Sequence, residues 1–86
     1  MDHTRAKIRQ FIIDNFLFGD ADLMVLDTDS LLKNGIIHST GVLDILLFVE
    51  ETFNLTIQDD EVIPDNFDSV ARLAAFAEKK TGAVAV

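Results

Sequence analysis

Apolar side chains recur at helical spacing in three stretches of this 86-residue chain, and no stretch alternates convincingly as a strand would. The first stretch predicts a helix from about residue 3 to about residue 17, and the second predicts a helix over Ser39–Phe53. The third begins after Asp68 or Ser69, either of which can cap a helix. Packing the three apolar stripes together predicts an all-α fold, a small four-helix bundle of three long helices and one short helix.

The expected helix ends follow from residues that favour caps and stops. Asp2 or Thr4 is expected to cap the first helix and Gly19 to end it, and Asn54 is a plausible stop for the second. The third carries lysines in its last turn, before Gly82 and a tail, residues 83–86, that is expected to be frayed. The broad buried face of the second helix is predicted to comprise Val42, Leu43, Leu46, Leu47, Val49 and Phe53. That of the third is predicted to comprise Val70, Leu73, Ala74, Phe76 and Ala77.

The segments between the long helices are less regular. Residues 18–38 show no clean period but carry many apolar side chains, which predicts a long connection packed over the core. Within it, Ser30–Asn34 can form one helical turn that stops at Gly35. Residues 59–63 are expected to form the short helix, with acids in its first turn and Pro64 ending it. No linker or repeat divides the chain, so residues 1–86 are expected to form a single domain.

The acidic charge of the chain is concentrated in its middle. The formal net charge is −8, and thirteen acids lie between Gln10 and Ala71, where Lys33 is the only base. Such a surface repels nucleic acid and anionic lipid and attracts basic protein surfaces. The alternative interpretation is that the acids only keep a small protein soluble.

Other function classes have little support in the composition. The chain has no cysteine, and its two histidines, His3 and His38, are too few and too distant for a structural zinc site. Nothing approaches the length of a membrane span, and the N-terminus lacks an apolar signal core, so a cytoplasmic monomer without membrane insertion is expected. Ser39 and His38 are adjacent, and neighbours at a helix start do not form a nucleophile–base pair. The sequence therefore predicts a protein without catalytic residues.

The segment Ser39-Thr40-Gly41 stands where an apolar loop gives way to an amphipathic helix. A serine there is commonly an N-cap, whose oxygen accepts a backbone N–H bond. That explanation does not account for two hydroxyls and a glycine together. Gly41 in the first turn costs up to about 1 kcal/mol relative to alanine. One reason to keep it would be the close approach of another molecule to the backbone.

The segment from Leu31 to Leu43, which reads LLKNGIIHSTGVL, resembles the attachment region of acyl carrier proteins. The resemblance covers nearly the whole chain, including the acidic end of the second helix, Glu50–Phe53, and the start of the last helix, Asn66–Val70. Acyl carrier proteins are small acidic four-helix bundles that carry a 4′-phosphopantetheine arm on a serine opening the second helix. The Ser39-x-Gly41 detail is closer to D-alanyl and other stand-alone aminoacyl carriers.

The resemblance implies that Ser39 receives a covalent 4′-phosphopantetheine group from coenzyme A through a phosphopantetheinyl transferase. The arm would bear acyl or aminoacyl thioesters of fatty acid, polyketide or nonribosomal peptide biosynthesis. A loading ligase and downstream synthases with basic surfaces would be the partners. Some apolar residues of the second helix would also line a cleft for the cargo. The implied docking residues are His38, Thr40, Asp44, Glu50, Glu51, Asp59, Asp60 and Glu61.

Two features depart from the pattern of the family. His38 stands where the family usually has an aspartate, whose carboxylate helps to hold the magnesium ion used by the transferase. Because neutral imidazole is a poor ligand for a hard cation, loading could be slow, could need a dedicated transferase, or could be absent. His38 is otherwise a pH-dependent contact or an exposed residue without a role. Asp29-Ser30-Leu31 matches the family's commonest tripeptide, but Gly35 stops any long helix there, so we interpret Ser30 as part of a turn or cap.

Two other function classes stay open at this point. An unmodified acidic helical adaptor would bind basic partners without covalent loading, and His38 favours it. A small metal sensor would use the acids at 59–61, although the chain lacks the twelve-residue calcium loop with its central glycine. For the docking acids, the simpler alternative is a solvated helix face.

Overall fold

The computed structural model describes residues 2–81, which form an all-helical bundle without a strand in that range. The predicted fold class is confirmed. The helices are α1 (Asp2–Phe16), α2 (Ser39–Phe53), α3 (Pro64–Phe67) and α4 (Val70–Thr81), with 3-10 turns at Ala21–Leu23 and Asp59–Glu61. The expected tail at 83–86 and Gly82 lie outside the described residues.

The core lies between α1, α2 and α4, and α3 and the long connection add side chains to it. Leu31 and Ile37 of the long connection are 0% and 1% exposed, so this segment packs over the core as the sequence predicts. The predicted stripe of α4 is buried throughout. The connected core comprises Ile8, Ile12, Leu31, Ile37, Val42, Ile45, Leu46, Val49, Phe67, Val70, Leu73, Ala74 and Ala77.

The bounds of α2 match the prediction, whereas its buried face is narrower and rotated. Asn54 ends the helix in the left-handed conformation, at φ 55 and ψ 55. Leu43 and Leu47 are 67% and 53% exposed, so their predicted burial is wrong. Ile45, which the sequence analysis left outside the buried face, is 1% exposed. The core-facing positions 42, 45, 46 and 49 follow the spacing of one helical stripe, which turns 43 and 47 outward.

Asp27 fastens the middle of the long connection to both terminal helices. Arg9 Nη1 donates to Val25 O at 2.7 Å and to Asp27 Oδ1 at 2.9 Å. The backbone of Asp27 accepts a hydrogen bond from Ala71 N at 2.9 Å. The connection is therefore tied to α1 by a charged side chain and to α4 by its backbone.

Asp68 fastens the next part of the connection. Its Oδ2 accepts from Ser30 Oγ at 2.7 Å, and its Oδ1 accepts from Leu32 N at 2.9 Å. Ser30 Oγ in turn accepts from Lys33 N at 3.0 Å, which confirms Ser30 as a turn residue. Ser69 rather than Asp68 caps α4, because Ser69 Oγ accepts the Arg72 amide at 3.0 Å. Asn34 N donates to Ser30 O at 3.3 Å, which closes the single helical turn that the sequence predicts, and Gly35 follows it with φ +69.

The role of Pro64 and the expected cap at Thr4 differ from the prediction, whereas α1 covers the predicted stretch. Pro64 opens α3 instead of ending a helix over 59–63, because a proline suits the first helical position, where no N–H partner is needed. Thr4 lies inside α1 and not before it. Gly19 does follow the end of α1, with φ +82, and Phe18 before it also has a positive φ of 55.

Candidate functional site

Ser39 is the first residue of α2 and its side chain is exposed. The cap position belongs to His38, whose backbone is extended and whose side chain makes no capping bond. His38 O accepts from Gly41 N at 2.8 Å and from Val42 N at 3.2 Å. Among residues 2–81 no group hydrogen-bonds the Ser39 hydroxyl. The capping explanation therefore does not apply to Ser39, whose hydroxyl is free.

The backbone around this hydroxyl favours a negatively charged substituent. The amides of Ser39 and Thr40 precede the first hydrogen bonds of α2 and have no partner in the described range. Free amides and the positive end of the helix dipole both stabilise an anion at this position. A phosphodiester on Ser39 Oγ would lie beside them.

Gly41 has an internal explanation. A Cβ at this position would lie 2.8 Å from Cε1 of Phe16, closer than carbon atoms in proteins approach. The group nearest to the backbone here is the edge of the half-buried Phe16 ring of α1. The packing of α1 on α2 is therefore one reason for the glycine, and the close approach of another molecule stays a prediction.

The two candidate serines differ in what their hydroxyls already do. Ser30 is half-buried, and its hydroxyl donates to Asp68 at 2.7 Å and accepts from Lys33 N at 3.0 Å. Ser39 is exposed and makes neither kind of bond within residues 2–81. Of the two, Ser39 is the hydroxyl that another molecule can reach.

The eight residues implied in docking fall into two groups. Glu50 and Glu61 are half-buried and engaged inside the molecule, since Glu50 Oε2 accepts from Ile57 N at 2.7 Å and Glu61 pairs with Lys80. Their carboxylates hold the segment after α2 in place. The exposed group consists of His38, Thr40, Asp44, Glu51, Asp59 and Asp60. For these residues, docking stays a prediction.

Glu61 joins the second 3-10 turn to the end of α4. Lys80 Nζ donates to its Oε1 at 2.8 Å and its Oε2 at 3.1 Å, and Gln58 N donates to Oε1 at 2.9 Å. The hydrogen bond from Lys80 and that from Gln58 hold the pKa of Glu61 below its ordinary value. The ionised carboxylate is therefore the form that the fold prefers.

We expect Lys80→Met to make the free energy of unfolding depend less on pH under acidic conditions. A carboxyl with a lowered folded-state pKa contributes stability above the unfolded-state pKa, about 4.3 for glutamate, and loses it as the pH falls through the folded-state pKa. Without Lys80, the free energy of unfolding should fall less between pH 6 and the acid range. Urea unfolding at several pH values measures this, with Lys7→Met on α1 as the control. An unchanged acid slope in Lys80→Met would contradict the assignment.

An open apolar groove of about 310 Å³ runs beside α2. Ser39, Leu43 and Leu47 stand four residues apart and so share one helix face. The two exposed leucines and Leu46 form one wall of the groove, Ile57 and Val62 contribute from the segment after α2, and Glu50 and Asp59 complete the lining. The sequence analysis took these leucines for core. Only the burial of Ile45 and Val49 in the structure, not the sequence pattern, places these leucines outside the core.

The metal-sensor alternative finds no support in the described range. No three His, Asp or Glu side chains between residues 2 and 81 are grouped so that they could hold a metal ion. Over the same range, no helix combines the length and apolar character needed to cross a membrane.

Comparison with known proteins gives no assignment. The chain matches no protein-family model, and a search of curated proteins found no match. A function has to be argued from the side chains themselves.

Proposed function

We propose that the chain is a carrier protein that bears a 4′-phosphopantetheine arm on Ser39. The observation that carries the proposal is the exposed Ser39 hydroxyl, without a hydrogen bond in the described range, at the first position of α2. A hydroxyl used for capping or folding would be engaged, as that of Ser30 is. The resemblance of the segment from Leu31 to Leu43 to acyl carrier proteins supports the same residue.

The site fits the group in charge and in shape. The free amides of Ser39 and Thr40 favour a phosphate at Oγ. From there the face through Leu43 and Leu47 leads to the apolar groove, which offers shelter to an apolar cargo. When bound, the arm supplies a thiol that carries the cargo as a thioester.

In the loading step, the Ser39 hydroxyl attacks the phosphorus of coenzyme A that bears the pantetheine. The new bond joins Oγ to phosphorus, the bond from phosphorus to adenosine 3′,5′-bisphosphate breaks, and the hydroxyl proton passes to the transferase. The chain itself catalyses nothing in this step. It presents the nucleophile and stabilises the resulting phosphodiester through its helix terminus.

The proposed partners are a phosphopantetheinyl transferase, an acyl- or aminoacyl-loading ligase, and cytoplasmic synthases of fatty acid, polyketide or nonribosomal peptide assembly. Basic surfaces on these enzymes complement the exposed acids of α2. Because the contact with the Phe16 ring gives Gly41 a reason within the fold, the Ser-x-Gly detail alone does not favour an aminoacyl cargo over an acyl one.

The test is intact-mass measurement after incubation with coenzyme A and a broad-specificity transferase. We expect the mass to increase by one phosphopantetheine group, and an ordinary acyl carrier protein treated in parallel shows that the transferase is active. A reaction without transferase is the blank. An unchanged mass, under conditions that load the ordinary carrier completely, would contradict the proposal.

The second candidate is an unmodified acidic adaptor, which His38 favours. His38 is exposed at the cap of α2, so no carboxylate precedes Ser39 to help hold a magnesium ion. An adaptor would bind basic partners through the same acidic face, and its mass would stay unchanged in the loading experiment.

A further inference from the structure

A second groove, of about 340 Å³, lies between α1 and α2 and is lined by three aromatic rings. Phe11 stacks on Phe48, with ring centroids 4.1 Å apart and an angle of 19° between the planes. Phe16 meets Phe11 edge-on at 6.2 Å and 68°. All three side chains are only half-buried, so aromatic surface stays open to solvent.

The rest of the lining is acidic and polar. Asp44 and Glu51 line the groove from α2, both are exposed, and neither has an ion pair or hydrogen-bond partner in the described range. Asn15 contributes from α1, where its Nδ2 donates to Phe11 O at 2.9 Å and its Oδ1 is left as an acceptor. Leu47 completes the lining, and no lysine or arginine belongs to it.

This combination selects a planar organic cation. Aromatic faces attract a cation, and a guanidinium group can stack on them while its N–H fork reaches carboxylates. An ammonium group is a compact, strongly hydrated charge and gains less from stacking. An acyl chain would contact only the apolar part of this lining and gain nothing from the two exposed carboxylates.

We propose that the α1–α2 groove binds an arginine side chain presented by a basic partner protein. The net charge of −8 attracts such a partner, and the groove gives one of its arginines a defined position. The groove shares Asp44 and Glu51 with the docking acids of the proposed carrier, but its binding of an arginine does not depend on loading at Ser39, which is not part of the lining. It adds α1 to a docking surface that the sequence placed on α2 and the acids after it.

The test is an NMR titration of the whole unmodified chain with N-acetyl-arginine amide and, separately, N-acetyl-lysine amide. We expect the arginine compound to shift the ring signals of Phe11 and Phe48 and to bind more tightly than the lysine compound. Equal affinity for the two compounds, or shifts confined to other parts of the chain, would overturn the proposal.

Matched variants distinguish binding in the groove from general attraction by the negative charge of the protein. Glu51→Gln and Asp44→Asn together should weaken binding of the arginine compound roughly three- to tenfold, since two unpaired carboxylates are lost. Asp59→Asn with Asp60→Asn removes the same charge elsewhere and should leave affinity within about twofold. Phe48→Leu should weaken binding by a similar factor to the first pair through loss of the stacked ring. Equal losses in both acidic pairs would overturn the proposal, whatever the outcome of loading at Ser39.

Discussion

We expect Ser39→Ala to abolish covalent loading completely and to leave the free energy of unfolding within about 0.5 kcal/mol of the native value. Alanine removes the only atom to which the phosphate could be attached in the proposed reaction. The residue is exposed and its hydroxyl has no partner in the described range, so its loss disturbs no contact. Alanine is also well tolerated in the first turn of a helix.

Ser30→Ala is the matched control, and the opposite pattern is expected. Its hydroxyl joins Asp68 and the amide of Lys33, so the variant should lose about 1–2 kcal/mol of stability while loading continues. Intact mass and urea unfolding, measured on both variants, give the two readouts. Loading that survives in Ser39→Ala would contradict the proposed attachment, and loading lost in a folded Ser30→Ala would favour the tripeptide at Asp29–Leu31.

The bounds of α2 could be predicted because local chemistry decides them. Ser39 opens a long run of helical periodicity, and Asn54 can take the left-handed conformation that ends it. The exposure of Ser39 follows from the same reasoning, since the start of a helix after a loop lies at the surface. Neither inference needs any knowledge of what packs against the helix.

The orientation of α2 could not be predicted, because it depends on contacts far away in sequence. Every candidate stripe of this helix is apolar, so periodicity alone does not distinguish Leu43 from Ile45. The close contact at Gly41 could not be predicted either, because the ring that lies next to it belongs to Phe16 of α1.

The hydrogen bonds that hold the long connection in place could not be predicted from the sequence either. Asp68 is a good cap by composition, yet it binds Ser30 and Leu32, more than thirty residues away, and leaves the cap to Ser69. The role of Pro64 could not be predicted locally either, because a proline can end one helix or begin another. Only the following residues, which form α3, decide between the two roles.

Ile45→Ala should lower the stability of the protein strongly and Leu43→Ala only slightly, although the residues are two positions apart on one helix. Ile45 is 1% exposed in the core, and its truncation should cost about 2–5 kcal/mol, from the lost burial and the cavity left behind. A fold of this size has about 4–13 kcal/mol in total, so the variant loses a large share of its stability. Leu43 is 67% exposed and should cost about 0.5 kcal/mol or less.

Urea unfolding of both variants measures the difference. If Ile45→Ala does not fold, Ile45→Val replaces it in the comparison, with an expected cost of about 0.5–1.5 kcal/mol. The pair also tests the groove, because Leu43 is free to line it only if Ile45 holds the core. Similar losses in Leu43→Ala and Ile45→Ala would mean that the face of α2 predicted from the sequence is the buried one. The path from Ser39 past Leu43 and Leu47 would then be closed to any cargo.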